Sequence, residues 1–216
     1  MQQTASQQGL IDPPSCQQIG DDAGVLQKVT EPGTDLSLWR RPVEASIVQE
    51  IQNLSASDLQ NIRQATSRFS FDTDVSGLLR EQGLDPMAFQ SLRADMLRLI
   101  SIFSTVSEGR ELQFRLLTTD SDDCRRFHLD RVYLRLLCTY QGPGTEWLTD
   151  AQVDREALVR CRPNSEVMRF GEASRFETFW VGILRGDPKN ISSGQVHRSP
   201  PIADSGRIRV LFSIDC

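Results

Sequence analysis

The sequence predicts an α+β fold, with a helical front half packed on a C-terminal β sandwich or jelly roll, and three observations lead there. Apolar residues recur at helical spacing as far as Gly109, then switch to a period of two. Beyond Gly109, short β-like stretches end at Gly/Pro turns, the punctuation of layered β folds. The only two histidines of the chain, His128 and His197, both fall in that β half.

Residues 1–35 hold scattered Gln, Asp, Gly and Pro with little apolar periodicity, the composition of a loosely ordered arm. Residues 36–109 read as the helical part. Ile47, Val48, Ile51 and Leu54 have helical spacing within 43–54, and a second helix is expected from Asp58 with Leu59, Ile62 and Phe69 on one side. The clearest helix opens at Asp85-Pro86, an N-cap followed by proline at the first position, and runs through Phe89, Leu92, Met96, Leu99 and Phe103. Its apolar stripe is expected to pack on the sheet. In residues 110–216, Leu112, Phe114 and Leu116 alternate with Gln113 and Arg115 as in a strand. Further β segments are expected at 127–140, ending at Gly142-Pro143-Gly144, at 179–185, ending at Gly186-Asp187-Pro188, and at 207–214. Residues 36–216 are expected to form one compact unit.

At 216 residues the chain is long enough to bury a sizeable core. No apolar run reaches the length of a membrane span, and the polar, Gln-rich start does not resemble a secretory signal, so the expected location is the cytoplasm. Five widely spaced cysteines without a C-x-x-C pair argue against a disulfide framework or zinc cluster. Cys124, four residues before His128, reads either as an extra ligand or as a small apolar side chain. The net charge of −5 lies in the front half, since residues 111–216 carry 15 basic and 15 acidic side chains. Without a Lys/Arg stripe and interleaved aromatics, a nucleic-acid partner has little electrostatic support.

His128 and Asp130 stand two apart in Phe127-His128-Leu129-Asp130, so on an extended strand both point the same way, and the 67 residues from Asp130 to His197 leave room to bring the second imidazole beside them. Two imidazoles and one carboxylate on one face of a divalent ion leave the opposite positions open for other ligands, as in non-haem Fe(II) oxygenases. Arg207 and Arg209 follow His197 on one face of the expected last strand, where a guanidinium could grip a carboxylate through paired hydrogen bonds. Taken singly, each group also has a plain reading. A histidine can sit beside an aspartate on the surface, His197 can cap the turn before Ser199-Pro200-Pro201, and arginines can protect an edge strand. Tyr140 shares the strand parity of His128 if no bulge intervenes. Glu146, Trp147, Arg198 and Ser199 flank the expected mouth, where turn and cap roles also fit.

The order H-x-D, apolar strand, glycine-rich turn, distal histidine and basic residue about ten positions later resembles the 2-oxoglutarate and Fe(II)-dependent dioxygenase superfamily, most nearly its prolyl-hydroxylase-like branch. The resemblance covers about residues 110–216. The strings Arg-Phe-His-x-Asp, Leu-Cys-Thr-Tyr-x-Gly-Pro-Gly-Thr-Glu-Trp and Val-His-Arg-Ser-Pro-Pro resemble more closely a bacterial family known only as a domain of unknown function. The superfamily resemblance implies a double-stranded β-helix with N-terminal helices packed on it, and His128, Asp130 and His197 as Fe(II) ligands that also serve catalysis. It further implies Arg207 as the anchor of 2-oxoglutarate, with Arg209 as its substitute, and Tyr140 as a hydroxyl donor to that cosubstrate. The implied activity is hydroxylation or oxidation of a small molecule or protein side chain. The alternative is a non-oxidative, cupin-like protein of metal homeostasis that holds zinc with the same three ligands. Gly-Pro-Gly-Thr-Glu-Trp in place of the superfamily's usual turn, and His-Arg-Ser-Pro-Pro after the last ligand, depart from its pattern.

Overall fold

The computed structural model describes residues 16–191 and 193–216. In chain order the regular elements begin with β1 (Gln17–Gly20), β2 (Leu36–Trp39), α1 (Ala45–Ile51), β3 (Gln64–Thr66), α2 (Phe71–Glu81) and α3 (Gln90–Val106). There follow β4 (Leu112–Thr119), β5 (Leu134–Gln141), β6 (Glu146–Trp147), α4 (Arg155–Val159), α5 (Asn164–Val167), β7 (Ser174–Arg175), β8 (Val181–Arg185), β9 (His197–Arg198) and β10 (Arg209–Asp215). The architecture is mixed α/β. A seven-stranded sheet runs β1-β2-β8-β5-β10-β4-β3, and a three-stranded sheet runs β7-β6-β9.

The period-two pattern decides what each face of the large sheet meets. Leu112, Phe114 and Leu116 of β4, Leu134, Leu136, Cys138 and Tyr140 of β5, and Val210, Phe212 and Ile214 of β10 enter one core with the helices. Helix α3 supplies Leu92, Met96, Leu99, Ile100 and Phe103 to that core. The Asp85 side chain accepts from the Met87 amide at 2.9 Å, and Pro86 opens a 3-10 turn that leads into the helix. Phe71 of α2 meets Phe114 and Phe212 edge-on at 5.0 and 5.9 Å between ring centroids. Each such aromatic pair adds about 0.5–1.5 kcal/mol beyond its burial. On the opposite face, Leu137 and Leu211 of the large sheet join Trp147 of the small one and Phe176 in a second cluster, and the candidate site lies on this face.

A buried ion pair ties the front of the chain to this frame. Arg41 binds both carboxylate oxygens of Asp95, at 2.5 and 2.7 Å, and its Nε donates to the Phe179 carbonyl at 2.7 Å. The Tyr140 hydroxyl donates to Asp95 Oδ2 at 2.6 Å. Burial pulls the Arg41 guanidinium toward its neutral form, but the Asp95 hydrogen bonds outweigh it and hold the guanidinium firmly charged.

Three expectations change. The loosely ordered arm over residues 1–35 is corrected from Gln17 onward. There β1 pairs in parallel with β2, and a 3-10 segment at Ala23–Thr30 buries Val25, Leu26 and Val29. The earlier part of that expectation, residues 1–15, lies outside the described residues. No helix starts at Asp58: its carboxylate closes a turn by accepting from the Ser55 amide and hydroxyl, both at 2.7 Å, and β3 follows. The single β segment at 127–140 divides, since the chain bends at residues 131–133 and strand pairing starts again at Leu134. No helix among the described residues is long and apolar enough to cross a membrane.

Candidate metal centre

One backbone bridge assembles the site. His128 and His197, the first residue of β9, exchange amide-to-carbonyl hydrogen bonds of 3.0 and 3.2 Å as an isolated antiparallel pair. Directly opposed residues of such a pair project to the same side, so the rings lie 4.6 Å apart. Each ring directs Nδ1 at the carbonyl two residues earlier, His128 to Arg126 at 2.8 Å and His197 to Gln195 at 3.1 Å. A carbonyl only accepts, so when a ring is neutral its Nδ1 carries the proton and its Nε2 offers the lone pair, the tautomer a metal requires.

Both Nε2 atoms face Asp130, at 3.7 Å from Oδ1 for His128 and 3.2 Å from Oδ2 for His197. The three ligand atoms lie within 4.8 Å of one another. Arg135 donates to Asp130 Oδ1 and pairs with Asp215 through two further nitrogens. Asp130 Oδ2 is left buried without a hydrogen-bond partner. An orphaned carboxylate oxygen opposite two imidazole lone pairs fits a divalent cation, with Asp130 as a one-oxygen ligand because Arg135 occupies the other. Burial pushes the Asp130 carboxyl up, but His197, His128 and Arg135 together outweigh it and hold it well below the usual carboxylate range.

For His128, burial lowers the pKa, but the nearby Asp130 carboxylate and the Arg126 carbonyl outweigh it and leave it raised. Without metal, the proton on His128 is a stabilising contribution that is fully present below about pH 6.5 and is lost as pH rises through the folded value. A metal needs that ring neutral, so divalent-ion affinity has the opposite slope. Zn(II)-induced thermal stabilisation is therefore expected to grow from about pH 6 to about pH 8. Stabilisation that is flat or falls over that interval would contradict these ligands.

The two histidines open on a pocket of about 80 Å³ floored by Leu117, Leu137 and Leu211. Arg209 lies at its back, 3% exposed, with Nη2 donating to Thr145 at 2.8 Å and Thr139 at 3.1 Å, and Nη1 to Ser199 at 3.4 Å. Its Nε is buried without a partner, and no carboxylate lies within ion-pair distance of it among the described residues. Burial pulls its pKa down to about 10. The Gly-Pro-Gly turn places Thr145 here, since a Cβ on Gly142, whose φ is +80°, would stand 2.3 Å from the Ile208 carbonyl oxygen.

The structure brings His128, His197 and Arg209 into one pocket, with Asp130 beside the two imidazoles, and leaves Arg207 and Tyr140 out. Arg207 is exposed, because the turn over residues 203–206 ends before it and β10 begins only at Arg209. Tyr140 faces the helical core and Asp95, because the bend at 131–133 resets the parity it was expected to share with His128. Cys124 is exposed at the pocket rim and stands outside the ligand group. Ser199 and Arg198 line the pocket, whereas Glu146 is buried between Arg175 and Arg198, and Trp147 packs between the sheets. Sequence reasoning missed Arg135, Thr139 and Thr145. The odd positions of β5 form its polar-bearing face, the signal that could have found the first two.

No curated protein matches the chain. Among solved structures it is similar to a dioxygenase for auxin oxidation from rice, with 14% identity, 92% of this chain and 81% of that one covered, and a TM-score of 0.49. It is similar to a Pseudomonas putida prolyl-4-hydroxylase at 10% identity, covering 82% and 95%, with a TM-score of 0.37. A third similarity is to a full-length Neurospora crassa protein in complex with alpha-KG and thymine, at 11% identity and a TM-score of 0.39, with 81% of this chain and 58% of that one covered. Residues 20–215 match the family described as "Protein of unknown function (DUF1826)", and the chain belongs to that family.

Proposed function

We propose that this protein is an Fe(II)- and 2-oxoglutarate-dependent oxygenase, built on a double-stranded β-helix whose two faces are the two sheets described above. The observation behind this reading is the pairing of two unmet needs around one pocket: the orphaned Asp130 Oδ2 beside the two imidazoles that line it, and the buried Arg209 guanidinium, with no carboxylate at ion-pair distance among the described residues. A metal ion answers the first. An organic acid that reaches both answers the second through charge-assisted hydrogen bonds.

In this reading His128, Asp130 and His197 hold the metal, and Arg209, oriented by Thr139, Thr145 and Ser199, holds the far carboxylate of 2-oxoglutarate. Bound Fe(II) with 2-oxoglutarate supplies the oxidising chemistry. Arg135 keeps Asp130 from turning away, and the leucine floor limits water around the site. The test is calorimetry of 2-oxoglutarate on metal-loaded protein. Arg209→Gln is expected to weaken binding at least about tenfold, the cost of a lost charge-assisted contact. Arg207→Gln should leave it within about twofold, since an exposed, solvated charge contributes little. Equal losses, or none, would contradict the assignment.

A second reading keeps the same ligands for zinc without oxidation, since two imidazoles and a carboxylate also suit Zn(II). It predicts tight Zn(II) binding and indifference to 2-oxoglutarate.

A further inference from the structure

We infer that Arg115 is a second anion-binding group of this pocket and that the substrate, on the oxygenase reading above, carries an oxyanion, a carboxylate or a phosphate, seated on it. Four guanidiniums line the pocket: Arg115, Arg135, Arg198 and Arg209. Arg135 is neutralised by Asp130 and Asp215, and Arg198 by Glu146. Arg209 and Arg115 remain, and on the reading above Arg209 is taken by the cosubstrate.

Arg115 is half-buried on β4, and its Nε donates to Ser213 at 3.3 Å while Nη1 reaches Asn61 at 3.5 Å. No carboxylate stands within ion-pair distance of it among the described residues. The two closest in influence, Asp215 and Asp130, are already engaged by Arg135, and Asp215 also by Arg63 at 3.0 Å. Burial and the charge of Arg135 lower the Arg115 pKa, so an incoming anion would relieve an unfavourable environment.

Register separates the two positive groups. Arg115 lies opposite Ser213 on β10, four residues along the strand from Arg209. At about 3.3 Å per residue that places the two backbones roughly 13 Å apart, with the Leu211–Leu117 pair halfway between them and Leu137 level with Arg115. Arg209 reaches Ser199 on the His197 side of the triad, and Arg115 stands beside Arg135 on its Asp130 side. The pocket thus has a positive group at each end of a short apolar floor. It suits a small acid whose aliphatic or planar body crosses the leucines.

The test uses the full chain loaded with Zn(II), which is redox-inert. Inorganic phosphate and acetate are titrated separately by calorimetry and thermal shift, with and without saturating 2-oxoglutarate, on the natural protein, Arg115→Gln and Arg115→Lys. At least one anion is expected to bind saturably with 2-oxoglutarate present. Arg115→Gln should weaken that anion at least about tenfold and Arg115→Lys less, while 2-oxoglutarate affinity stays within about twofold. A response to phosphate alone assigns a phosphorylated substrate, and one to acetate alone a carboxylic acid. With 2-oxoglutarate saturating, anion binding that survives in Arg115→Gln, or is absent from the natural protein, overturns the inference. So does loss of 2-oxoglutarate in Arg115→Gln, which would assign Arg115 to the cosubstrate. If 2-oxoglutarate never binds but an anion still depends on Arg115, the oxygenase reading fails and the anion site stands. Should Arg115→Gln fail to bind Zn(II), Arg115→Lys against the natural protein supplies the comparison.

Discussion

Asp130→Ala is expected to weaken divalent-metal binding by more than about 100-fold, beyond the range seen when only a group that orients a ligand is removed. The carboxylate is the only anionic ligand of the triad and the one whose Oδ2 has no other partner. Without it, two neutral imidazoles 4.6 Å apart remain, with no charge to hold a cation. The frame should survive, because Arg135 retains its pairing with Asp215 and the His128–His197 backbone bridge does not involve the carboxylate. Calorimetric titration with Zn(II) measures the loss, and the melting temperature of the metal-free variant checks the fold. His197→Ala, which removes the most enclosed of the three donors, should behave in the same way. Metal affinity within about threefold of the natural protein in both variants would contradict a site built on this triad.

Asp95→Ala is expected to destabilise the fold by about 3–5 kcal/mol, the cost of leaving a buried charge without its partner. Arg41 would keep its Phe179 contact but lose both carboxylate bonds in a setting from which water is excluded, and Tyr140 would lose its acceptor. For a chain of this length, each kcal/mol shifts the melting temperature by about 2–4 °C, so a fall of roughly 6–20 °C should be seen. Replacing both charges with apolar side chains of similar volume should cost less than removing Asp95 alone, because no unpaired ion remains. A change below about 1 kcal/mol for Asp95→Ala would mean that water or a rearranged neighbour reaches Arg41.

These two sites differ in how far the sequence exposed them. The triad was legible because its chemistry is carried by rare residues, two histidines in the whole chain, one of them two positions from an aspartate. Helix α3 was legible from its cap and stripe, and β4 from its alternation. The Arg41–Asp95 pair joins positions 54 apart, and no local period announces such a contact, although Asp95 falls between Leu92 and Leu99 on the buried stripe of its helix.

The choice between Arg207 and Arg209 depended on where a turn ends, and Tyr140 depended on whether a strand ran unbroken from His128. A one-residue change of phase sends a strand side chain to the other face, so small errors at strand ends become large errors in site membership. The N-terminal segment was misread for a related reason. β1 is a short edge strand with one exposed apolar side chain, Ile19, and its order comes from pairing with β2 rather than from its own composition.

The most direct test of the central claim is an anaerobic titration of metal-free protein with Fe(II) followed by 2-oxoglutarate, with Arg209→Gln in parallel. A visible charge-transfer absorption that appears only when both are present, and that needs a higher 2-oxoglutarate concentration in Arg209→Gln, is the predicted result. Iron binding with no such absorption, or tight binding of Zn(II) alone, would contradict the oxygenase reading and leave a metal site of another purpose.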